Sequence, residues 1–151
     1  MTTRSAVHDT FQIERHYDVA PARVFRAFAD PQAKAQWFRG PEEMKVEDET
    51  FDFREGGRES QVSVFPDGTR FGFFVTYTDI VPDERIVYTY EMSLNGARIS
   101  ISVATIEVRP AGGGTDLIVT EQGVYLDGLD NPAQRRAGTE DLMDKLGEAL
   151  A

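Results

Sequence analysis

Residues 71–96 read FGFFVTYTDIVPDERIVYTYEMSLNG, and this stretch decides the fold. Phe71, Phe73, Val75 and Tyr77 recur at every second position, which places them on one face of a β-strand. Pro82-Asp83-Glu84 then breaks the chain. Ile86, Tyr88, Tyr90 and Met92 repeat the period of two. Asn95-Gly96 follows, and a type I′ hairpin turn needs positive φ at both central positions, which this pair tolerates. Strands of this kind joined by tight turns make an antiparallel sheet with one aromatic face. Such a face must be covered by another layer.

The cover is found at the end of the chain. Asn131-Pro132 is a helix start, and Gly138, Leu142, Met143, Leu146, Ala149 and Leu150 fit spacings of three and four. Between the aromatic strands and this helix, Ile99, Ile101 and Val103 fall on odd positions, while Ile106 and Val108 fall on even ones. A β-bulge near Ala104-Thr105 is expected from that change of phase. Gly112-Gly113-Gly114 closes a hairpin, after which Leu117, Val119 and Glu121 share a face. Before residue 71, Met44–Phe53 and Arg58–Phe65 flank a Glu55-Gly56-Gly57 turn, and Pro66-Asp67-Gly68 makes the next one.

The N-terminal part differs. Phe11, Ile13, Arg15, Tyr17 and Val19 alternate as a strand, and residues 1–9 are expected to be flexible. Ala20-Pro21 and Asp30-Pro31 each open a short helix, with Pro at the first helical position. Val24, Phe25 and Phe28 share one face of the first, and Ala33 and Trp37 are one turn apart on the second. The expected architecture is α+β. One strand, two short helices and about six strands precede a terminal helix, and the curved antiparallel sheet wraps that helix.

The 151 residues suit one domain, and the sequence is read as a single soluble unit. There is no Cys, hence no disulfide or thiol chemistry. Met1–Thr10 lacks the apolar core of a secretory signal, and no apolar run is long enough to span a bilayer. A cytoplasmic protein is expected. Sixteen Lys and Arg against 26 Asp and Glu leave a net charge of −10, which disfavours nucleic acid and anionic lipid as partners.

Several segments together resemble a known family. Ala20-Pro21-Ala22-Arg23-Val24-Phe25-Arg26-Ala27-Phe28, then Asp30-Pro31 and Trp37, are similar to the opening of the SRPBCC superfamily, the START-like or helix-grip proteins. Asp52–Arg58, Asp67-Gly68, Pro82–Tyr88 and Gly113–Leu117 resemble the branch named after activators of a heat-shock-protein ATPase. The resemblance implies a seven-stranded sheet gripping a long helix, often around a hydrophobic cavity. It also implies a chaperone as a conceivable partner. The eukaryotic activators carry an additional N-terminal domain for which these residues have no counterpart. Many members carry Gly-Trp where this chain has Gly138-Thr139.

The candidate site follows from the aromatic content of 10 Phe, 5 Tyr and 1 Trp. Trp37, Phe53, Phe73, Tyr77, Tyr88, Tyr90, Met92, Glu121 and Met143 are the candidate lining of a cavity for a small apolar or aromatic molecule. The same side chains would otherwise be ordinary core. Glu121, if inward, is a carboxylate in apolar surroundings and a candidate acid or base for a cyclase- or hydrolase-like reaction. Paired with Arg15 or Arg98, it would instead be half of an ion pair. His16, near Glu14 and Asp18, reads as part of a solvated strip rather than a metal site, and His8 lies in the expected flexible lead. No G-x-S-x-G, Walker A, G-x-G-x-x-G or H-E-x-x-H pattern is present, so no cofactor or metal is called for.

Overall fold

The computed structural model describes residues 3–151. Seven strands and three helices follow one another as β1 (Ala6–Tyr17), α1 (Pro21–Ala29), α2 (Pro31–Ala35), β2 (Lys45–Phe51), β3 (Arg58–Val64), β4 (Arg70–Val81), β5 (Arg85–Leu94), β6 (Ala97–Ala111), β7 (Gly114–Leu126) and α3 (Pro132–Leu150). The strands form one antiparallel sheet in the order β1-β7-β6-β5-β4-β3-β2. The expected helix-grip architecture is the observed one. Among the described residues no helix is long and apolar enough to cross a membrane.

The hairpins follow their turn chemistry. Asn95 and Gly96 both have positive φ, 49° and 83°, as a type I′ turn demands. Pro21 and Pro132 stand in the first turns of α1 and α3. Asp30 caps α2 by accepting from the Gln32 and Ala33 amides. The Asn131 side chain does the same for Gln134. Trp37 lies just past the end of α2, not on it, because that helix stops at Ala35.

Two further expectations need correction. The first strand begins at Ala6, so residues 6–9 pair with Leu126–Gly123 instead of forming a flexible lead. Met1 and Thr2 lie outside the described residues. The bulge of β6 is also not at Ala104-Thr105. Met92 pairs with Ser100 and Ser93 with Arg98, which leaves Ile99 as the extra residue. From Ser100 to Val108 the even positions then face inward without interruption, while Ile101 and Val103 lie exposed on the outer face. Their β-branched shape suits a strand whichever face they take, so composition alone misreported the phase.

Register aligns the inner face in rows. Tyr77, Tyr88, Ala104, Glu121 and Phe11 make one row across β4, β5, β6, β7 and β1. Val75, Tyr90, Ser102 and Gly123 make the next, and Phe73, Met92, Ser100 and Tyr125 the one after. The last helix packs mainly against β1 and α1. Its buried residues are Thr139, Met143, Leu146 and Leu150, at spacings of four, three and four. Tyr17 OH donates to the Met143 carbonyl at 2.8 Å and ties the helix to β1. Burial pushes that phenol up to about 12. The helix thus covers one side of the sheet and leaves the inner face of β3–β5 to other neighbours.

His16 sits on the outer, solvated side of β1. Its Nδ1 lies 2.8 Å from Asp116 Oδ1, and its Nε2 lies 3.2 Å from Asp18 Oδ1. The hydrogen bond to Asp116 is the main cause that holds its pKa above the ordinary 6.5. The folded value exceeds the unfolded one. The stabilisation is therefore full below the unfolded pKa and is lost as pH rises through the folded pKa. In an NMR titration the His16 ring should show its midpoint above 6.5 and fall back towards that value in Asp116→Asn. An unshifted midpoint in the parent protein contradicts the assignment.

Candidate functional site

A cavity of about 430 Å³ lies between α3, the inner face of β3–β5 and the segment that leads from α2 to β2. Its size is in the range of small-molecule sites. The segment is held near its start by two side-chain hydrogen bonds. Trp37 Nε1 donates to the Ala27 carbonyl at 2.9 Å, and Lys145 Nζ on α3 donates to the Arg39 carbonyl at 3.2 Å. Arg39, Gly40, Pro41 and Met44 therefore form one wall of the cavity opposite the helix.

Seven of the nine residues singled out in the sequence meet around this cavity. They are Trp37, Phe73, Tyr88, Tyr90, Met92, Glu121 and Met143. Phe73 and Tyr90 pack at 5.2 Å between ring centroids, and Tyr88 and Tyr90 at 6.0 Å. Trp37 meets Phe28 edge-on at 5.0 Å and Phe38 at 5.7 Å. Phe53 and Tyr77 stand apart. They pack edge-on against each other at 4.9 Å and face a separate void of about 20 Å³ beside the main one. They lie nearer the β2 edge, where α1 supplies Phe25 against Phe53 and closes the space.

Glu121 is inward and buried, with 4% of its surface exposed. Neither Arg15 nor Arg98 pairs with it; these pair with Asp144 and Glu91. Its Oε1 accepts from the Tyr90 hydroxyl and its Oε2 from Thr139 Oγ1 at 3.0 Å. Burial raises the carboxyl pKa, and the Tyr90 and Thr139 hydrogen bonds and the charge of Arg135 oppose that rise. Burial and the adjacent Glu121 push the Tyr90 phenol well above its usual value. Thr139 stands where the resemblance led one to look for Trp. A small hydroxyl residue there reaches the carboxylate and leaves the cavity open above it.

A second buried polar group closes the void beside the cavity. Lys34 Nζ lies 2.6 Å from Glu59 Oε1, and Tyr77 OH donates to the same oxygen at 2.5 Å. The ammonium also lies over the rings of Phe38 and Phe51, 4.6 and 5.0 Å from their centroids. Burial lowers the Lys34 pKa, and the Glu59 carboxylate counters it. This group joins α2 to β3 and β4, and so fixes the start of the segment that walls the cavity. Sequence reading missed Lys34 and Glu59, because a lysine in a five-residue helix and a glutamate on a polar strand carry no periodic signal. Thr139 stood out in the sequence only as the residue in place of the Trp that many family members carry, not as a partner of Glu121.

The comparisons agree with the fold. No curated protein matches this chain. An uncharacterised protein of Rhizobium leguminosarum is 44% identical, with 99% of this chain and 98% of that one covered and a TM-score of 0.92. The Mll3558 protein of Rhizobium loti is 39% identical, with 97% and 99% covered and a TM-score of 0.90. An AHSA1-like protein of Aeromonas hydrophila, 20% identical over 93% of this chain and 91% of that one with a TM-score of 0.68, shares the fold. The model of the family described as Activator of Hsp90 ATPase homolog 1-like protein matches residues 18–151. With that match over most of its length, the chain belongs to the Activator of Hsp90 ATPase homolog 1-like family.

Proposed function

We propose that this protein binds a small, largely apolar molecule in the cavity between its sheet and α3. The observation that supports this reading is the cavity of about 430 Å³, walled by Trp37, Phe73, Tyr88 and Met92 among others, with the buried carboxyl of Glu121 in its lining. Apolar walls supply affinity through burial, and one or two polar groups fix orientation. The cytoplasmic setting expected from the sequence belongs to the same proposal, and cell fractionation checks it.

Trp37 makes the test direct, since it is the only tryptophan and stands in the cavity wall. The ligand-stripped protein is titrated with fatty acids, flavonoids, polyketides and other hydrophobes, while Trp37 fluorescence and the melting temperature are followed. A true ligand changes the fluorescence and stabilises the fold by about 2.7 kcal/mol at a hundredfold excess over Kd. Mass spectrometry of untreated protein identifies any compound that copurifies. No response across the panel, with nothing copurified, refutes the proposal.

A second reading rests on Glu121. A buried carboxyl with a raised pKa beside a phenol is the arrangement of a general acid or base. In that reading the bound molecule is a substrate. Glu121→Gln then keeps binding within a few-fold and abolishes turnover. Unchanged turnover in that variant removes the catalytic role.

A further inference from the structure

The wall that α3 gives to the cavity carries a guanidinium. Arg135 lines the cavity, and only 16% of its side chain is exposed. Its Nε and Nη2 both donate to Asp130 Oδ2, at 3.4 and 3.2 Å, and the Asp130 side chain is fully buried. Asp130 Oδ1 in turn accepts from the Asn131 amide at 2.8 Å. The arginine fork is planar and rigid, so a fixed carboxylate on its Nε–Nη2 edge also fixes the direction of Nη1. Among the described residues Nη1 has no hydrogen-bond partner of its own.

Nη1 lies beside the cavity. Gly138, three residues further along α3, is also in the lining. A first side-chain carbon on Gly138 would meet Arg135 Nη1 at 3.8 Å and, its chain neighbours and own helix backbone apart, nothing else within 4 Å. Glycine there keeps the approach to the guanidinium open. The other polar groups nearby are already engaged. Glu121 accepts the Tyr90 hydroxyl on one oxygen and the Thr139 hydroxyl on the other. Lys145 is held by Asp141 at 3.0 Å and by the Arg39 carbonyl, while Arg39 itself is exposed. A guanidinium nitrogen is a donor only, and covering it with an apolar surface is costly. Whatever fills the space beside Gly138 must therefore accept a hydrogen bond.

We propose that Arg135 determines the specificity of this cavity, and that the ligand presents a carbonyl-type oxygen, from a ketone, an ester or a carboxylate, to its Nη1. The inference rests on the binding function proposed above and specifies the polar end of the ligand. The bond uses no group that is already engaged, because Glu121 keeps both hydroxyls and Arg135 keeps Asp130. An ammonium at that place would face the guanidinium, and a hydrocarbon would strand its N–H groups.

The test uses four probes with a common phenylethyl body: 4-phenyl-2-butanone, 3-phenylpropanoate, butylbenzene and 3-phenylpropylammonium. Affinities are measured by titration calorimetry in the parent protein and in Arg135→Met. At least one of the two oxygen acceptors should bind the parent roughly tenfold or more tightly than butylbenzene, the worth of one hydrogen bond to a charged donor. A gain for the ketone alone assigns a neutral carbonyl, and a gain for 3-phenylpropanoate alone assigns a carboxylate. In Arg135→Met the preference should collapse while the affinity for butylbenzene is kept. Should that variant fail to fold because Asp130 is left buried alone, Arg135→Met/Asp130→Asn removes both charges and is measured instead. Equal affinity for acceptors and butylbenzene in the parent overturns the role of Arg135 and leaves the cavity reading intact. So does a preference that survives the substitution, which for the carboxylate would place its partner at Arg39. No binding of any probe, nor of any compound in the wider panel, overturns both.

Discussion

Glu59→Ala should lower the stability of the fold by about 3–5 kcal/mol, the usual loss when one partner of a buried ion pair is removed. The pair lies inside the protein, with the side chains of Lys34 and Glu59 exposed by only 13% and 8%. Without Glu59, the ammonium of Lys34 is left among Phe38, Phe51 and Tyr77, and the Tyr77 hydroxyl loses its acceptor. For a chain of this size the melting temperature should fall by roughly 10–15 °C. Urea denaturation measures the loss directly. The double variant Lys34→Met/Glu59→Leu should recover most of it, because apolar residues of similar volume replace a buried pair at little cost. A loss of less than about 1 kcal/mol in Glu59→Ala would mean that the pair behaves as a surface ion pair, and would refute its role in holding α2.

Trp37→Ala should be similarly severe, at about 3–5 kcal/mol for a large aromatic removed from a core. Trp37 is 3% exposed, edge-on to Phe28 and Phe38, and its indole N–H holds the Ala27 carbonyl. Truncation opens the cavity into the space behind it and frees the segment that carries Arg39 to Met44. Ligand affinity should fall along with stability. Trp37→Phe separates the two roles. It keeps most of the ring volume and loses the hydrogen bond, so it should cost roughly 1–2 kcal/mol. Circular dichroism follows both variants, since the intrinsic fluorophore is the residue replaced. A Trp37→Ala protein as stable as the parent would show that α2 and its following segment are not held through this ring.

The two variants test parts of the molecule that differ in how far they could be foreseen. The aromatic ring of Trp37 stood out as the only tryptophan, close to a helix start. Lys34 and Glu59 lie 25 residues apart in a helix and a strand of ordinary polar composition. Each is unremarked until β3 and β4 bring Glu59 and Tyr77 beneath α2. The same distinction applies at Glu121. Its strand face was readable from Leu117 and Val119, but its partners Tyr90 and Thr139 come from β5 and α3.

By itself the sequence determined the order of elements, the turn positions and the identity of the aromatic face. These depend on local chemistry: a period of two, proline and asparagine at helix starts, and Asn95-Gly96 where positive φ is required. The tertiary structure decided the phase of β6, because a bulge at Ile99 inverts which residues face inward and the β-branched residues suit either face. It also decided that α3 settles against β1 and α1 and leaves a cavity over β3–β5. Periodicity identifies the face that a helix buries, whereas the distance and direction at which it packs depend on side-chain volumes from several separate elements.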